Sequence, residues 1–553
     1  MDNRFLLWAS LGLIFLMIYQ TWQRDYGPQP VPVAQVEDTA MPADAVPPLE
    51  PSLPSLPGTA DTQLDAAGPS LSAAVEAPTI SVRTDVFDLV IDTRGAKLRD
   101  VQLLNYPVKK DRPDELVSIL SDELSSLDLI QSGLVGAGGA PAPNHEQRFA
   151  ADAVRYELAD GQNQLQVALT WQGANGVVAT KTFTFYRGRY NIDVELDVVN
   201  RGQEPYAAAP YVQVQRKHIP IKRSMFDVDS YSFLGSVVFD GEAADKYKHK
   251  ELVKEPLNFA TDMGWIATIE HHFLSAVIPP SGVQAQYSSR VSNDDRELIS
   301  AVMPVFNVAP GASASTQHTV FVGPKLQEQL NEVAPGLVRT VDYGILSVLS
   351  QPLFWLLQKI HSLVQNWGLA IILMTFLIKL IFYPLAQKSG HSMAKMRNLA
   401  PRVKKLQERY KDDRQAMSRE MMNIYKTEGV NPMSSCLPLL LQMPVFLALY
   451  WVLIESVELR QAPFALWIND LSSRDPLFIL PLIMAVAMFI QTKLNPPPAD
   501  PTTATEMMVL PLMMSVFFAF FPAGLVLYWV VNTVLSVLQQ WRINRTVEAA
   551  AKA

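Results

Sequence analysis

Only one cysteine, Cys436, occurs in the 553 residues. A single thiol cannot close an intrachain disulfide, and it does not make a cysteine metal centre. Its scarcity leaves the compartment open, because a disulfide-free domain suits cytosol and periplasm alike. No nucleotide-binding loop is present. The nearest approach, "GLVGAGGAPAPN" at 133–144, runs into prolines rather than a helix, so it reads as a flexible loop and not a phosphate cradle. Paired intramembrane charges and an inverted repeat are also lacking, which counts against a solute or ion transporter. No small-residue cleavage site follows the first apolar block, "FLLWASLGLIFLMIYQTW" at 5–22. Residues 1–26 therefore read as a retained transmembrane anchor rather than a removed signal.

What is abundant is apolar sequence in blocks. Runs of roughly 18 or more such residues can cross a hydrocarbon core of about 30 Å as helices. Beyond the anchor they fall at about 364–384, 437–455, 477–494, 507–521 and 523–541, which makes six spans in all. Residues 27–78, as in "PADAVPPLEPSLPSLPG", have too few aromatic or β-branched residues to build a core and read as a disordered linker. From 79 to 335 the period becomes two. "YNIDVELDVVN" places Ile192, Val194, Leu196 and Val198 on one face and Asp193, Glu195 and Asp197 on the other. "LQVALTW" repeats the pattern, and turn sequences such as "DGQN" separate the runs, so a large antiparallel β-sandwich is expected. Residues 336–363 are amphipathic but contain Pro352; an interfacial helix that turns into the membrane is expected there.

Net charge is −8, but its distribution says more than its sum. The stretch 388–430 is rich in Lys and Arg, including Arg402, Lys404, Lys405 and Arg409, and basic connections stay cytoplasmic. The acid-balanced loop 456–476, with Trp467 at an expected interface, then lies on the opposite side. Alternation places both termini and the 542–553 tail in the cytoplasm and the β-domain outside, in the periplasm of a bacterial inner membrane. Within 388–430, Met396, Leu399, Val403, Leu406 and Tyr410 repeat every three to four residues, and Met417, Met421 and Ile424 do so beyond Asp412–Asp413. The pattern predicts an antiparallel helical hairpin. Its methionines are either ordinary hairpin core or an adaptable apolar surface for passing segments. Its basic residues are either a topology signal or contacts to anionic membrane lipids or ribosomal RNA.

One charge sits inside an apolar block: Lys379 in "MTFLIKLIFYPL". With the cytoplasmic boundary near Gln387, eight residues at about 1.5 Å each put it roughly 12 Å deep. Snorkelling accounts for part of such a distance. Thr375 and Tyr383 lie four residues to either side, so all three are expected to share one helix face. Gln442, Gln491, Thr492, Ser515, Asn532, Thr533, Ser536, Gln539 and Gln540 add polar groups to other spans. Singly these read as glue between helices. Together they could line a wet cavity open to the cytoplasm, where an ammonium stays charged at modest cost. Prolines 438, 444, 481 and 511 suggest irregular helices around it. No acid partner for Lys379 is evident at matching depth.

The stretches "NWGLAIILMTFLIKLIFYPLAQKS", "MAKMRNLAPRVKKLQERYKDD", "EGVNPMSSCLPLLLQMPVFLALYWVL", "VELRQAPFALWINDLSSRDP" and "FPAGLVLYWVVNTVLSVLQQ" resemble the YidC-type membrane protein insertase family, in its Gram-negative branch. The resemblance implies a polytopic protein of mixed α and β structure. Six transmembrane helices would comprise the anchor and a five-helix insertase core (364–541), with a periplasmic antiparallel β-supersandwich and a cytoplasmic helical hairpin besides. It implies a hydrophilic groove that inserts and helps fold nascent membrane proteins, alone or with the Sec translocon. The family's groove arginine matches Lys379, which keeps the charge and loses the bidentate geometry. Its client-contacting region matches Gln442, Met443 and Pro444, and its aromatic pair matches Tyr528 and Trp529. The short tail argues against strong ribosome tethering.

Against this insertase and chaperone reading stand a transporter and an envelope-glycan-binding protein or enzyme. The best enzyme candidate is His271–His272 in "IEHHF"; on a strand the two would point to opposite faces, a poor metal pair. No enzyme activity, cofactor, metal or specific DNA partner is expected.

Overall fold

The computed structural model describes residues 79–220, 232–410, 413–430, 437–495, 509, 511 and 513–552. The expected anchor (1–26), linker (27–78), Cys436 and Asp412 lie outside the described residues.

The period-two sequence folds into β-sheets. A nine-stranded sheet runs in the order 244–247, 234–239, 265–270, 273–278, 313–324, 191–200, 177–186, 164–172 and 150–151. Asn191–Asn200 buries Ile192, Val194, Leu196 and Val198 and turns its acids outward, as the alternation requires. A second sheet runs 258–261, 285–291, 296–302, 206–217 and 306–308, with Asp128–Gly136 along the other edge of Tyr206–Lys217. A third, of five strands, ends in the parallel pair Thr79–Arg83 and Arg155–Glu157. The antiparallel expectation is thus right for every pairing but this one. The glycine-rich loop is also tied back: Leu134 N–H donates to Pro143 O at 3.1 Å, and a side chain at Gly133 would strike that carbonyl.

Two short helices, α1 (His249–Lys254) and α2 (Gln327–Val333), belong to the sandwich. α3 spans Ser347–Val364 and buries Ser350, Leu353, Phe354, Leu357 and Ile360. Pro352 does not interrupt it. It lies in the second turn on the exposed side, where only the bond to the Val348 carbonyl is lost. The start of the expected interfacial segment is folded onto the sandwich instead, with Leu337, Thr340, Val341 and Tyr343 buried.

Further helices are α4 (Trp367–Ile381), α5 (Tyr383–Arg409), α6 (Arg414–Thr427), α7 (Leu437–Glu455), α8 (Ile479–Leu494) and α9 (Ala523–Lys552), and residues 513–518 of the expected span 507–521 are helical as well. Among the described residues, Ala523–Ala549 alone is long and apolar enough to cross a membrane unbroken. α4 and α5 qualify only as a pair bent by 69°. The bend falls at Phe382, one residue before Tyr383–Pro384. Pro384 has no N–H to give the Leu380 carbonyl and its ring crowds that carbonyl, whereas proline fits the first turn of a new helix. The prolines singled out in the sequence do less: α7 continues through Pro444, and Pro481 sits in the first turn of α8. α9 runs on through the expected tail to Lys552.

The sandwich docks on the end of α7 and the loop after it through polar contacts. Lys325 and Glu455 form an ion pair at 3.7 Å with both side chains nearly fully buried. Tyr343 Oη and Ser456 Oγ are 3.1 Å apart, and Arg460 donates to Pro107 O at 2.9 Å. His271 and His272 are the two-residue turn between strands 265–270 and 273–278, not strand residues. His271 has φ of +35°, so the rings stack at 3.7 Å instead of pointing apart, and His271 Nε2 meets Ile454 O at 3.0 Å. Trp467 donates to Asp475 Oδ1 at 3.0 Å.

Candidate functional site

α4 is set by its N-terminus. Asn366 caps it by accepting from Leu369 N–H, and Gly368 lies against Phe464 too closely for a side chain. Its inward face carries Gly368, Ala370, Ile371, Met374, Thr375 and Ile378. Leu369, Leu373, Phe376, Leu377, Leu380 and Ile381 face outward. Lys379, in the last turn, points inward: its Nζ donates to Ser536 Oγ of α9 at 2.7 Å. Ser536 Oγ in turn donates to Asn532 O at 2.8 Å. Among the described residues no carboxylate pairs with Lys379. Glu455, the last residue of α7, pairs with Lys325 instead.

The polar groups of α9 form a stripe. Asn532, Ser536, Gln540 and Asn544 follow at intervals of four, so they share one face. Gln540 Nε2 reaches Gly390 O of α5 at 3.4 Å and Asn544 Oδ1 at 2.8 Å. Asn544 Nδ2 donates to Leu494 O of α8 at 3.1 Å. Asn544 escaped the sequence reading because it lies in the expected tail; the four-residue repeat from Asn532 was its signal. Two buried atoms near this stripe, Asn532 Oδ1 and Gln539 Nε2, have no hydrogen-bond partner among the described residues. Such atoms are rare in folded proteins and ask for water or a ligand.

The other expected residues are placed unequally. Thr375 is buried and satisfies its own helix by donating to Ile371 O at 2.7 Å. Ser515 likewise donates to Pro511 O at 2.8 Å. Thr533 is buried beside Asn532. Gln442 of α7 donates to the hydroxyl of the fully buried Tyr528, which ties α7 to α9. Trp529 packs on Phe446 at 4.9 Å and Phe518 at 5.3 Å. Met443 and Pro444 face outward. Tyr383 does not join Lys379 and Thr375: the bend at Phe382 separates it from their helix face, and it is exposed. The same bend cancels the depth of Lys379 reckoned along a straight helix.

α5 and α6 cover the stretch where a hairpin is expected, and α5 begins at Tyr383 rather than near 388. Asp413 caps α6 by accepting from Gln415 and Ala416 N–H. Met396, Met417 and Met421 are half-buried, and Leu399 and Val403 are buried. Lys404, Lys405 and Arg409 are exposed; Arg402 pairs with Glu428 at 2.8 Å in solvent, a contact of little energetic weight.

Comparison with known proteins covers both halves. Residues 79–356 match the family model described as the YidC periplasmic domain, and 359–550 that of the 60Kd inner membrane protein. The membrane protein insertase YidC of Methylococcus capsulatus is 44% identical, with 99% of this chain and 99% of that protein covered. The namesake from Thioalkalivibrio sulfidiphilus is also 44% identical, with 100% of each covered. A crystal structure of an active YidC insertase with its first transmembrane domain resolved shares 19% identity at a TM-score of 0.40, covering 82% of this chain and 90% of that one.

Proposed function

This chain belongs to the YidC membrane protein insertase family, and from that premise we propose that Lys379 and the α9 stripe form the path its clients use. The protein is a membrane protein insertase of the inner membrane with a periplasmic domain, and its partners are membrane protein clients. It is not an enzyme: the work is transfer of polypeptide into lipid, not catalysis. Moving apolar surface out of water yields about 25 cal/mol per Å², enough to drive a whole span.

The observation that carries the reading is the inward ammonium of Lys379, held by Ser536 without a carboxylate among the described residues. A cation so placed attracts acidic or polar client segments, and the orphaned Asn532 Oδ1 and Gln539 Nε2 offer them, or water, further partners. The groove residues are Thr375, Lys379, Gln442, Ser515, Tyr528, Trp529, Asn532, Thr533 and Ser536, with Met443, Pro444 and Tyr383 on its lipid-facing or cytoplasmic margin. In this reading six spans place both termini and the 388–430 hairpin in the cytoplasm, where the hairpin receives clients. The Sec translocon is a second route of delivery, and the ribosome and anionic lipids are partners for Arg402, Lys404, Lys405 and Arg409. The test is photocrosslinking from positions 375, 379, 442, 532 and 536 to a stalled nascent client. Crosslinks from these sites support the path; crosslinks only from outward positions such as 373 and 377 reject it.

A further inference from the structure

The β-sandwich holds a side-chain cluster that insertion does not use. His218 follows the end of strand 206–217, Glu297 lies on the neighbouring strand 296–302, and His249 opens α1. One donor atom from each lies within 4.8 Å of the others. His249 Nδ1 is 2.9 Å and His218 Nδ1 3.9 Å from Glu297 Oε1. A tetrahedral zinc with bonds of about 2.0–2.1 Å sets its donors roughly 3.3 Å apart, between these two values.

The atoms that face away are held in place. Glu297 is 2% exposed, and its Oε2 accepts the Ser236 hydroxyl at 3.0 Å. His249 Nε2 faces Asp295 Oδ1 at 3.3 Å. A histidine that gives one nitrogen to a metal and the other to a carboxylate is the usual supporting arrangement of such centres. The two carboxylates offset a divalent charge. The nearby guanidinium of Arg216 acts on Asp128 and Glu270 as well, which lowers both carboxyls against the upward push of burial. The imidazole rings are stacked at 4.3 Å, so binding requires the part-exposed His218 ring to swing out and bring its lone pair into plane.

We propose that His218, His249 and Glu297 bind a borderline divalent cation of the zinc class, supported by Asp295 and Ser236. Two imidazole nitrogens disfavour calcium and magnesium, which prefer oxygen donors. Ser236 belongs to the nine-stranded sheet and Glu297 to the second, so a hydrogen bond between the two sheets fixes the carboxylate that would hold the ion.

The test uses the tag-free full-length protein in detergent, stripped of metal by chelation. Titrated Co²⁺ is expected to bind one per chain with the visible absorption of a tetrahedral site. Zn²⁺ should displace it and raise the thermal midpoint; Mg²⁺ should do neither. Asp295→Asn should weaken binding about 10- to 100-fold, and His218→Ala and Glu297→Gln should abolish it. Because Glu297 is buried and its variant could misfold, the part-exposed His218 and Asp295 carry the test by themselves. Absence of stoichiometric Co²⁺ binding overturns the proposal, as does binding unchanged in both His218→Ala and Asp295→Asn.

Discussion

Replacing Lys325 by methionine tests how firmly the periplasmic sandwich is seated on the membrane core. Lys325 Nζ lies 3.7 Å from Glu455 Oε2, with side chains 2% and 8% exposed. Its remaining nearby acceptor is Thr340 O at 3.4 Å. Methionine fills similar volume but strands the Glu455 carboxylate, whose other oxygen has only the Ser232 hydroxyl at 3.4 Å. Removing one partner of a buried pair costs about 3–5 kcal/mol. At roughly 2–4 °C per kcal/mol for a domain of this size, the thermal midpoint should fall by about 10 °C. Replacing both residues, Lys325→Met with Glu455→Leu, should recover most of the loss, because an apolar pair carries no desolvation penalty. The assay is thermal unfolding of the purified full chain in detergent for both single variants and the double. A double variant that loses as much as the two singles added together would refute the reasoning, since residues that touch should not be additive.

Truncation follows the same logic: removing 79–320, which spares Lys325, should leave insertion working better than removing 79–340, measured by complementation of a depleted strain. Lys379→Ala should impair clients with charged translocated segments, whereas Lys379→Arg should retain insertion; pulse-labelled protease protection would read both, and full activity of the alanine variant would remove the groove charge from the mechanism. Burial pushes the Glu458 carboxyl up to about 7 from 4.5. The folded state therefore holds that proton more tightly, and the resulting stability is complete below pH 4.5 and lost as pH rises through 7, on the order of 3 kcal/mol in all. Glu458→Gln should flatten that slope and raise the melting temperature at pH 8. Pro384→Ala restores a backbone donor to Leu380 O and should open the α4–α5 bend, read as a longer spin-label distance between positions 370 and 400.

The two layers of the fold differed in how far they could be read from sequence. Alternation in Asn191–Asn200 is local, so a window of ten residues determines which side chains are buried. The parallel pairing of Thr79–Arg83 with Arg155–Glu157 depends on chain segments more than seventy positions apart, and no window sees it. Lys379 was legible as an anomaly because a charge in an apolar run stands out. Its partner Ser536 was legible only as one polar residue among many, since nothing in either helix says which faces meet. His271–His272 misled for a different reason: the strand pattern continued through a two-residue turn, and only the positive φ at His271 reveals the reversal. The cluster of His218, His249 and Glu297 has no spacing signature at all, because three separate elements supply it.

The bend at Phe382 reconciles a charge inside an apolar helix with a basic hairpin outside it. A straight helix through 367–409 would carry Lys379 and Tyr383 on one face and drive the hairpin along the membrane normal. The 69° turn instead ends α4 two residues after Lys379 and sends α5 off at an angle, against Gln540 of α9. Lys379 then lies where three things converge: the end of an apolar helix, the start of a cationic one, and the polar stripe of α9. In the path proposed above, a client arriving along α5 would meet the Lys379 ammonium beside Ser536. On that proposal, a basic surface and a single cation set among neutral polar groups would let a hydrophilic segment give up its water in stages rather than at once, which would lower the largest single step.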